Sequence, residues 1–199
     1  MKKKIAVILS GCGYQDGSEL TEAVSALICL NQAGAQVVCF APAHKIEASN
    51  QISRGTTLDL CELNPSDFDG LLMPGGFGAA KHLSDWAVNG ANCTVIPDVE
   101  RVLKGFYDDQ KPIAALCIAP AIVARVLGKK GIAVTIGNDP QTAAEIAKTG
   151  ALHEVCSVTE YISDREHRIL TTPAYMFEAQ PHEVFTGIAK MIREFVEIA

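Results

Sequence analysis

No two of the seven cysteines stand in a C-x-x-C pair, and an odd number scattered from Cys12 to Cys156 gives no disulfide framework. That usage points to reduced thiols and a cytoplasmic protein. No basic cluster follows the opening Lys2-Lys3-Lys4, and the formal net charge is -6, so nucleic acid is not expected as a partner. Long apolar runs are missing too. The longest mainly apolar window, Ile113 to Val126, is broken by Pro120 and Arg125 and cannot span a bilayer. The apolar stretch Ile5 to Leu9 is too short for a signal peptide and leads straight into Ser10-Gly11. There is no G-x-x-x-x-G-K-S/T phosphate loop, and no G-x-G-x-x-G follows the first strand. His44, His82, His153, His167 and His182 share no ligand-like spacing, so a metal is not expected.

What is present is an alternation of strand and helix in a chain of 199 residues, read as one domain (1–199), with 48% hydrophobic residues. Ile5 to Leu9 is a continuous apolar run, hence a central parallel strand, and Ser10 to Gly17 is a Gly-rich loop. A helix from Ser18 places Leu20, Val24, Leu27 and Ile28 on one face and stops at Gly34. Val37–Ala41, Asp69–Met73, Ala133–Ile136 and Arg168–Thr171 read as strands. Pro140–Lys148 and Pro181–Val196 read as helices, the second with Val184, Ile188 and Ile192 on one face. His44 to Phe68 reads as a hairpin or an irregular excursion. The whole implies an α/β fold with an open, doubly wound, mostly parallel sheet, and ligands at the carboxyl ends of its strands.

Cys117 is the candidate nucleophile, although a buried cysteine filling a strand end fits the local pattern as well. Lys111–Leu116 reads as a strand and Ile118–Leu127 as a helix, with Pro120 tolerated in its first turn. Cys117 sits at the join with Ala115 and Ala119 two residues to either side, the small-x-nucleophile-x-small spacing of a strand-turn-helix elbow. A sharp turn crowds the flanking backbone, which is why both flanks are small. The helix N-terminus would favour the thiolate. If the sheet is parallel, the loops Ser10–Gly17, Pro74–Gly78, Cys117–Pro120 and Gly137–Pro140 gather on one rim. There the Gly75-Gly76 turn and the amide of Ile118 would form an oxyanion hole beside the thiol. Cys12 is a candidate second thiol on that rim, though a loop cysteine without a role fits as well. Cys29, Cys39, Cys61, Cys93 and Cys156 are assigned to packing.

Together these stretches resemble a family. The segments Ile8–Gly13, Asp16–Glu19, Glu22-Ala23, Pro74–Lys81, Cys117–Ala121, Thr135–Gly137 and Thr171–Tyr175 look like the enhancing-lycopene-biosynthesis (ElbB-like) group. That group belongs to the ThiJ/PfpI superfamily, relatives of class I glutamine amidotransferases. The resemblance implies a flavodoxin-like sheet, homodimers, a glyoxalase-type activity without cofactor and a link to isoprenoid metabolism. It makes Cys117 the nucleophile, Glu22 the glutamate that approaches the thiol from the first helix, and Gly75 and Gly76 the oxyanion turn. Taken alone, Glu22 lies one position off the apolar stripe and reads as solvated. One departure matters: where amidotransferase and protease relatives place a histidine, this chain has Gly137. His82, just after the glycine turn, is a candidate stand-in.

The expected function is therefore conversion of glyoxal, or a related small dicarbonyl, to a 2-hydroxy acid such as glycolate. Cys117 would add to an aldehyde carbon and Glu22 would move the proton. A non-catalytic or redox-sensing stress protein is the alternative, since a reactive thiol serves both. Amidase or peptidase chemistry ranks third, for want of the histidine.

Overall fold

In the computed structural model, which describes residues 2–199, Ile5, Ala6, Val7 and Ile8 are wholly buried. A parallel strand covered on both faces is apolar at every position, and this one, β1 (Lys4–Ile8), lies mid-sheet. The chain continues with β2 (Gln36–Ala41), β3 (Thr57–Asp59), β4 (Gly70–Met73), β5 (Ile113–Leu116), β6 (Ala133–Val134), β7 (Leu152–His153), β8 (Ile162–Asp164) and β9 (Ile169–Thr172). Seven of these form a sheet in the order β3-β2-β1-β4-β5-β9-β8, parallel except for β8, which runs antiparallel to β9. β6 and β7 make a two-stranded parallel ribbon of their own.

Helices α1 (Leu20–Gln32) and α8 (Pro181–Ile198) cover one face of the sheet, and α5 (Pro97–Asp108) and α6 (Ala119–Leu127) cover the other. The two-residue period of the strands divides the core accordingly. Ala6, Ile8, Leu71 and Met73 pack under α5 and α6, while Ile5, Val7 and Leu72 pack under α1 and α8. The remaining helices are α2 (Ile46–Ser53), α3 (Phe77–His82), α4 (Trp86–Asn89) and α7 (Pro140–Lys148). Among the described residues no helix is long and apolar enough to cross a membrane. The architecture is the expected α/β doubly wound, mostly parallel sheet.

Three local expectations are corrected. The outward face of α1 is the one that reads as apolar: Leu20, Val24 and Ile28 stay exposed, at 46%, 39% and 46%. The helix instead turns Ala23, Ser25, Ala26, Cys29 and Leu30 inward, because close approach to the sheet and to α8 favours small side chains. His44 to Phe68 contains no hairpin. It holds α2 and then β3, which joins β2 in parallel, and the left-handed Arg54 (φ 60) with Gly55 (φ 96) reverses the chain between them. The strand expected over 133–136 exists only as β6, outside the main sheet, where Leu152 and His153 are its partners.

Candidate active site

The carboxyl ends of β1, β4, β5 and β9 bring four short segments to one place. Cys117 follows β5 with φ 59, a left-handed conformation rare for a side-chain-bearing residue and the signature of a strained elbow. Its own N–H donates to the Thr172 carbonyl at 3.0 Å, so the elbow is tied to the neighbouring strand β9. Ala115 and Ala119 are wholly buried against it, as the spacing requires. Only 7% of Cys117 is exposed.

Glu22 stands in the first turn of α1 and is fully buried, not solvated. One carboxyl oxygen, Oε2, accepts from the Gly75 N–H at 3.0 Å, and the other, Oε1, accepts from the Tyr175 N–H at 3.2 Å. Its carboxyl and the Cys117 side chain meet over Gly75. Glu19 caps the helix, accepting from the Glu22 N–H at 2.7 Å, while its own N–H donates to the Gly75 carbonyl at 3.1 Å. Burial, with the Glu19 carboxylate adding to it, pushes the Glu22 carboxyl up to about 8. Glu22 is therefore a neutral acid at neutral pH.

The glycine turn after β4 is forced by this crowding. A Cβ on Gly75 would lie 2.4 Å from the Cys117 Cβ and 2.7 Å from Glu22 Oε2. One on Gly76, at φ 92, would lie 2.3 Å from the Gly17 carbonyl oxygen. The division of labour differs from the expected one. The Gly75 amide is spent on Glu22, so the amides directed at the Cys117 sulfur are those of Gly76 and Ile118.

The expectation of a resting thiolate is also corrected. Burial and the Glu22 carboxylate push the Cys117 thiol well above its ordinary range, and the two amides offset this only in part. Cys117 and Glu22 titrate as a coupled pair.

Neither accessory candidate lines the cleft over Cys117. His82 Nε2 is paired with Asp16 Oδ1 at 2.9 Å, and its ring meets His44 edge-on with centroids 5.5 Å apart. Cys12 bridges to Ser18 in the loop after β1. At Gly137 (φ 91) a Cβ would lie 2.6 Å from the Phe177 ring, so a side chain there needs both a left-handed backbone and a shift of Phe177. Among the described residues no histidine lines the cleft, and no group of three His, Cys, Asp or Glu side chains is placed to hold a metal. The cleft has a volume of about 1000 Å³, and its far wall is built from α4 and α7, including Trp86, Val88, Gln141 and Glu145. Sequence reading missed Glu19, Tyr175 and that wall. Tyr175 contributes a backbone amide, which no side-chain pattern reports, although Glu19 and Tyr175 both fall within stretches that carry the resemblance.

The DJ-1/PfpI family pattern matches residues 3–154. The mitochondrial ES1 protein homolog of Rattus norvegicus is 38% identical over 226 aligned positions, covering 99% of this chain and 84% of the relative. A solved structure from Ehrlichia chaffeensis, described as an isoprenoid biosynthesis protein with an amidotransferase-like domain, superposes with a TM-score of 0.91 at 32% identity. It covers 98% of this chain and 99% of that one. Glyoxalase III of Candida albicans shares the fold, with a TM-score of 0.67 at 14% identity over 98% of this chain and 97% of that one. The rat, human and zebrafish relatives are all named mitochondrial, which overturns the cytoplasmic expectation drawn from cysteine usage. Reduced thiols are kept in more than one compartment, so cysteine usage alone does not locate a protein.

Proposed function

From the premise that the chain belongs to the DJ-1/PfpI family, we propose that it is a cofactor-independent glyoxalase acting on small dicarbonyls. The observation that carries the proposal is the Cys117–Glu22 pair, a buried thiol on a strained elbow that meets, over Gly75, a fully buried carboxyl group pushed up to about 8. Within the family we propose the ElbB-like group as its place, supported by the end-to-end likeness to the Ehrlichia protein.

The working form is the pair holding a single proton, in its minor arrangement with the proton on Glu22 and the negative charge on sulfur, which the Gly76 and Ile118 amides and the N-terminus of α6 stabilise. The sulfur adds to an aldehyde carbon of glyoxal. The carbonyl π pair moves to oxygen, held by the two amides, and Glu22 donates its proton there to give the hemithioacetal. Glu22, now a carboxylate, removes the proton from the same carbon and returns it to the neighbouring one through an enediolate, while the hydroxyl proton passes from the first oxygen to the second. The product is a glycolyl thioester: the first carbon has been oxidised and the second reduced, so no external electron carrier enters. Water, deprotonated by Glu22, displaces sulfur and releases glycolic acid. The pair is left with one proton, as it began.

Amide hydrolysis is the weaker reading because, among the described residues, no histidine lines the cleft over the sulfur to protonate a leaving amine. A redox-sensing role is disfavoured by the burial and raised pKa of Cys117, since oxidation selects exposed thiolates.

The test is glycolate formation by Glu22→Gln beside mass spectrometry of the Cys117 adduct. The variant should still add glyoxal, while turnover falls on the order of 100- to 10,000-fold. Turnover within about threefold of wild type would show that Glu22 moves no proton.

A further inference from the structure

We infer that Asp16 is a positioning residue for the nucleophile: with Lys45 and His82 it fixes the loop after β1, and through that loop the Gly76 amide that faces the Cys117 sulfur. The inference rests on the reading of Cys117 as a nucleophile, and not on the dicarbonyl it attacks.

The loop from Gly11 to Gly17 has little that would order it from within. Three of its seven residues are glycine, Tyr14, Gln15 and Asp16 are exposed, and Cys12 alone packs against the apolar core. What holds the loop comes from α3 and from the segment between β2 and α2. Asp16 Oδ2 accepts from Lys45 Nζ at 2.8 Å, and its Oδ1 is paired with His82 Nε2 at 2.9 Å. The Lys45 and His82 side chains are only 13% and 20% exposed, against 68% for Asp16, so their surroundings fix them and the carboxylate is the latch. Lys45 first and His82 second hold the Asp16 carboxyl down to about 2, so it carries its charge at neutral pH.

The remaining anchors run along α3. Lys81 Nζ, near its end, donates to the Gln15 carbonyl at 2.7 Å. At its start the Phe77 and Gly78 N–H groups donate to the Tyr14 and Gly17 carbonyls at 2.7 and 3.0 Å. The loop is therefore seated on α3 from one end to the other.

Between that loop and the Gly76 amide there is no slack. A Cβ on Gly76 would lie 2.3 Å from the Gly17 carbonyl oxygen, and one on Gly78 would lie 2.5 Å from the Gly17 Cα. One on Gly17 itself would lie 2.3 Å from the Cys12 nitrogen. Backbone thus rests on backbone at each step, where no rotamer change can absorb a displacement, and close-packed contacts transmit strain. Gly17 follows Asp16 directly, so a shift of the latch reaches Gly76. The second amide at the sulfur, that of Ile118, belongs to the elbow itself. Asp16 therefore acts on one of the two donors. Exposed ion pairs contribute little to stability, so the effect belongs to the reactivity of the sulfur.

The experiment follows alkylation of Cys117 by iodoacetamide, read by peptide mapping, in the full chain and in Asp16→Ala, Asp16→Asn and Glu100→Ala. Glu100 has the same kind of exposed pair, with Lys104 on α5, and does not line the cleft. Asp16→Ala should melt within about 4 °C of wild type. At pH 8 its Cys117 should react on the order of tenfold more slowly, the low end of what a hydrogen bond to a charged group is worth. The direction is diagnostic, because a loop that merely loosened would uncover the buried thiol and speed its labelling. Asp16→Asn, which can still accept from Lys45 and donate to His82, should recover part of the rate. Glu100→Ala should match wild type. With glyoxal, Asp16→Ala should lower kcat by a similar factor and leave KM within about threefold, as for an interaction made in the transition state.

Alkylation in Asp16→Ala as fast as wild type or faster, Asp16→Asn no better than Asp16→Ala, or an equal loss in Glu100→Ala would overturn the inference. If Asp16→Ala melts below the assay temperature, Asp16→Asn decides: slower alkylation than wild type supports the inference, and an unchanged rate overturns it. Slower alkylation in a chain that turns over no dicarbonyl would sink the glyoxalase reading and leave Asp16 its role. Dicarbonyl turnover with equal alkylation in every variant would do the reverse.

Discussion

At the scale of single residues, the decisive fact is that Glu22 is buried with a proton, and this makes two pH predictions. Its carboxyl rises from an ordinary 4.5 to about 8 on folding. A group whose folded pKa is raised stabilises fully below its unfolded value, and that contribution is lost as pH climbs through the folded value. Wild type should therefore lose stability between about pH 4.5 and 8, by up to about 5 kcal/mol at full deprotonation. Glu22→Gln does not titrate, so the variant should lack this contribution, and the other titrating groups should affect both proteins alike. At pH 5 the variant should be the less stable, because its NH2 must face the N–H of either Gly75 or Tyr175, an unmatched donor that costs about 1–3 kcal/mol. Urea unfolding at pH 5 and pH 8.5 should show that gap closing or reversing. A gap that stays constant would mean that Glu22 titrates normally. In activity, kcat/KM for a dicarbonyl should climb toward about pH 8 as the pair sheds its first proton. A rate independent of pH from 6 to 8 would remove the pair as the working form.

At the scale of elements, Gly137 offers the sharpest test. An added Cβ there meets both a backbone at φ 91 and the Phe177 ring at 2.6 Å, whereas one at Gly131, with φ 80, meets nothing within 4 Å. Gly131→Ala should carry only the left-handed penalty of about 1–2 kcal/mol. Gly137→Ala should add overpacking of about 1–3 kcal/mol to it. Thermal melts of the two variants should separate accordingly, by about 2–4 °C per kcal/mol in a chain this size. Equal melting points would mean that Phe177 moves aside.

The same scale explains what the sequence discloses. The elbow is legible because its constraint is local: Ala115 and Ala119 must be small whatever surrounds them. Helix α8 is legible because its large apolar residues are the buried ones. Helix α1 is not, because what it buries is small, Ala23, Ser25 and Ala26, together with a carboxylate. A hydrophobic stripe therefore points to the wrong face, and Glu22 reads as solvated. Helix α5 carries the same kind of signal as α8, with Pro97 in its first turn and Val99, Val102, Leu103 and Phe106 inward. The Gly75 and Tyr175 amides leave no trace in side-chain patterning, so the clamp on Glu22 emerges only from the fold.

For the whole molecule, the question is whether the cleft wall belongs to the same cooperative unit as the sheet. The two apolar layers share strands: Leu71 packs on one side and Leu72 on the other, so neither layer can melt without removing a face of β4. Trp86 lies in the layer under α5 and α6 while also lining the cleft. It is the only tryptophan in the chain, so its fluorescence reports the wall, and far-ultraviolet circular dichroism reports the sheet and helices together. Coincident transitions are the mark of a single cooperative step. With one shared sheet, the two signals should give the same urea midpoint and the same slope. If Trp86 fluorescence changes at a lower denaturant concentration, the segment from α3 to α4 opens while the sheet is intact. The substrate-facing wall would then be a separately stable part, and the chain more than one folding unit.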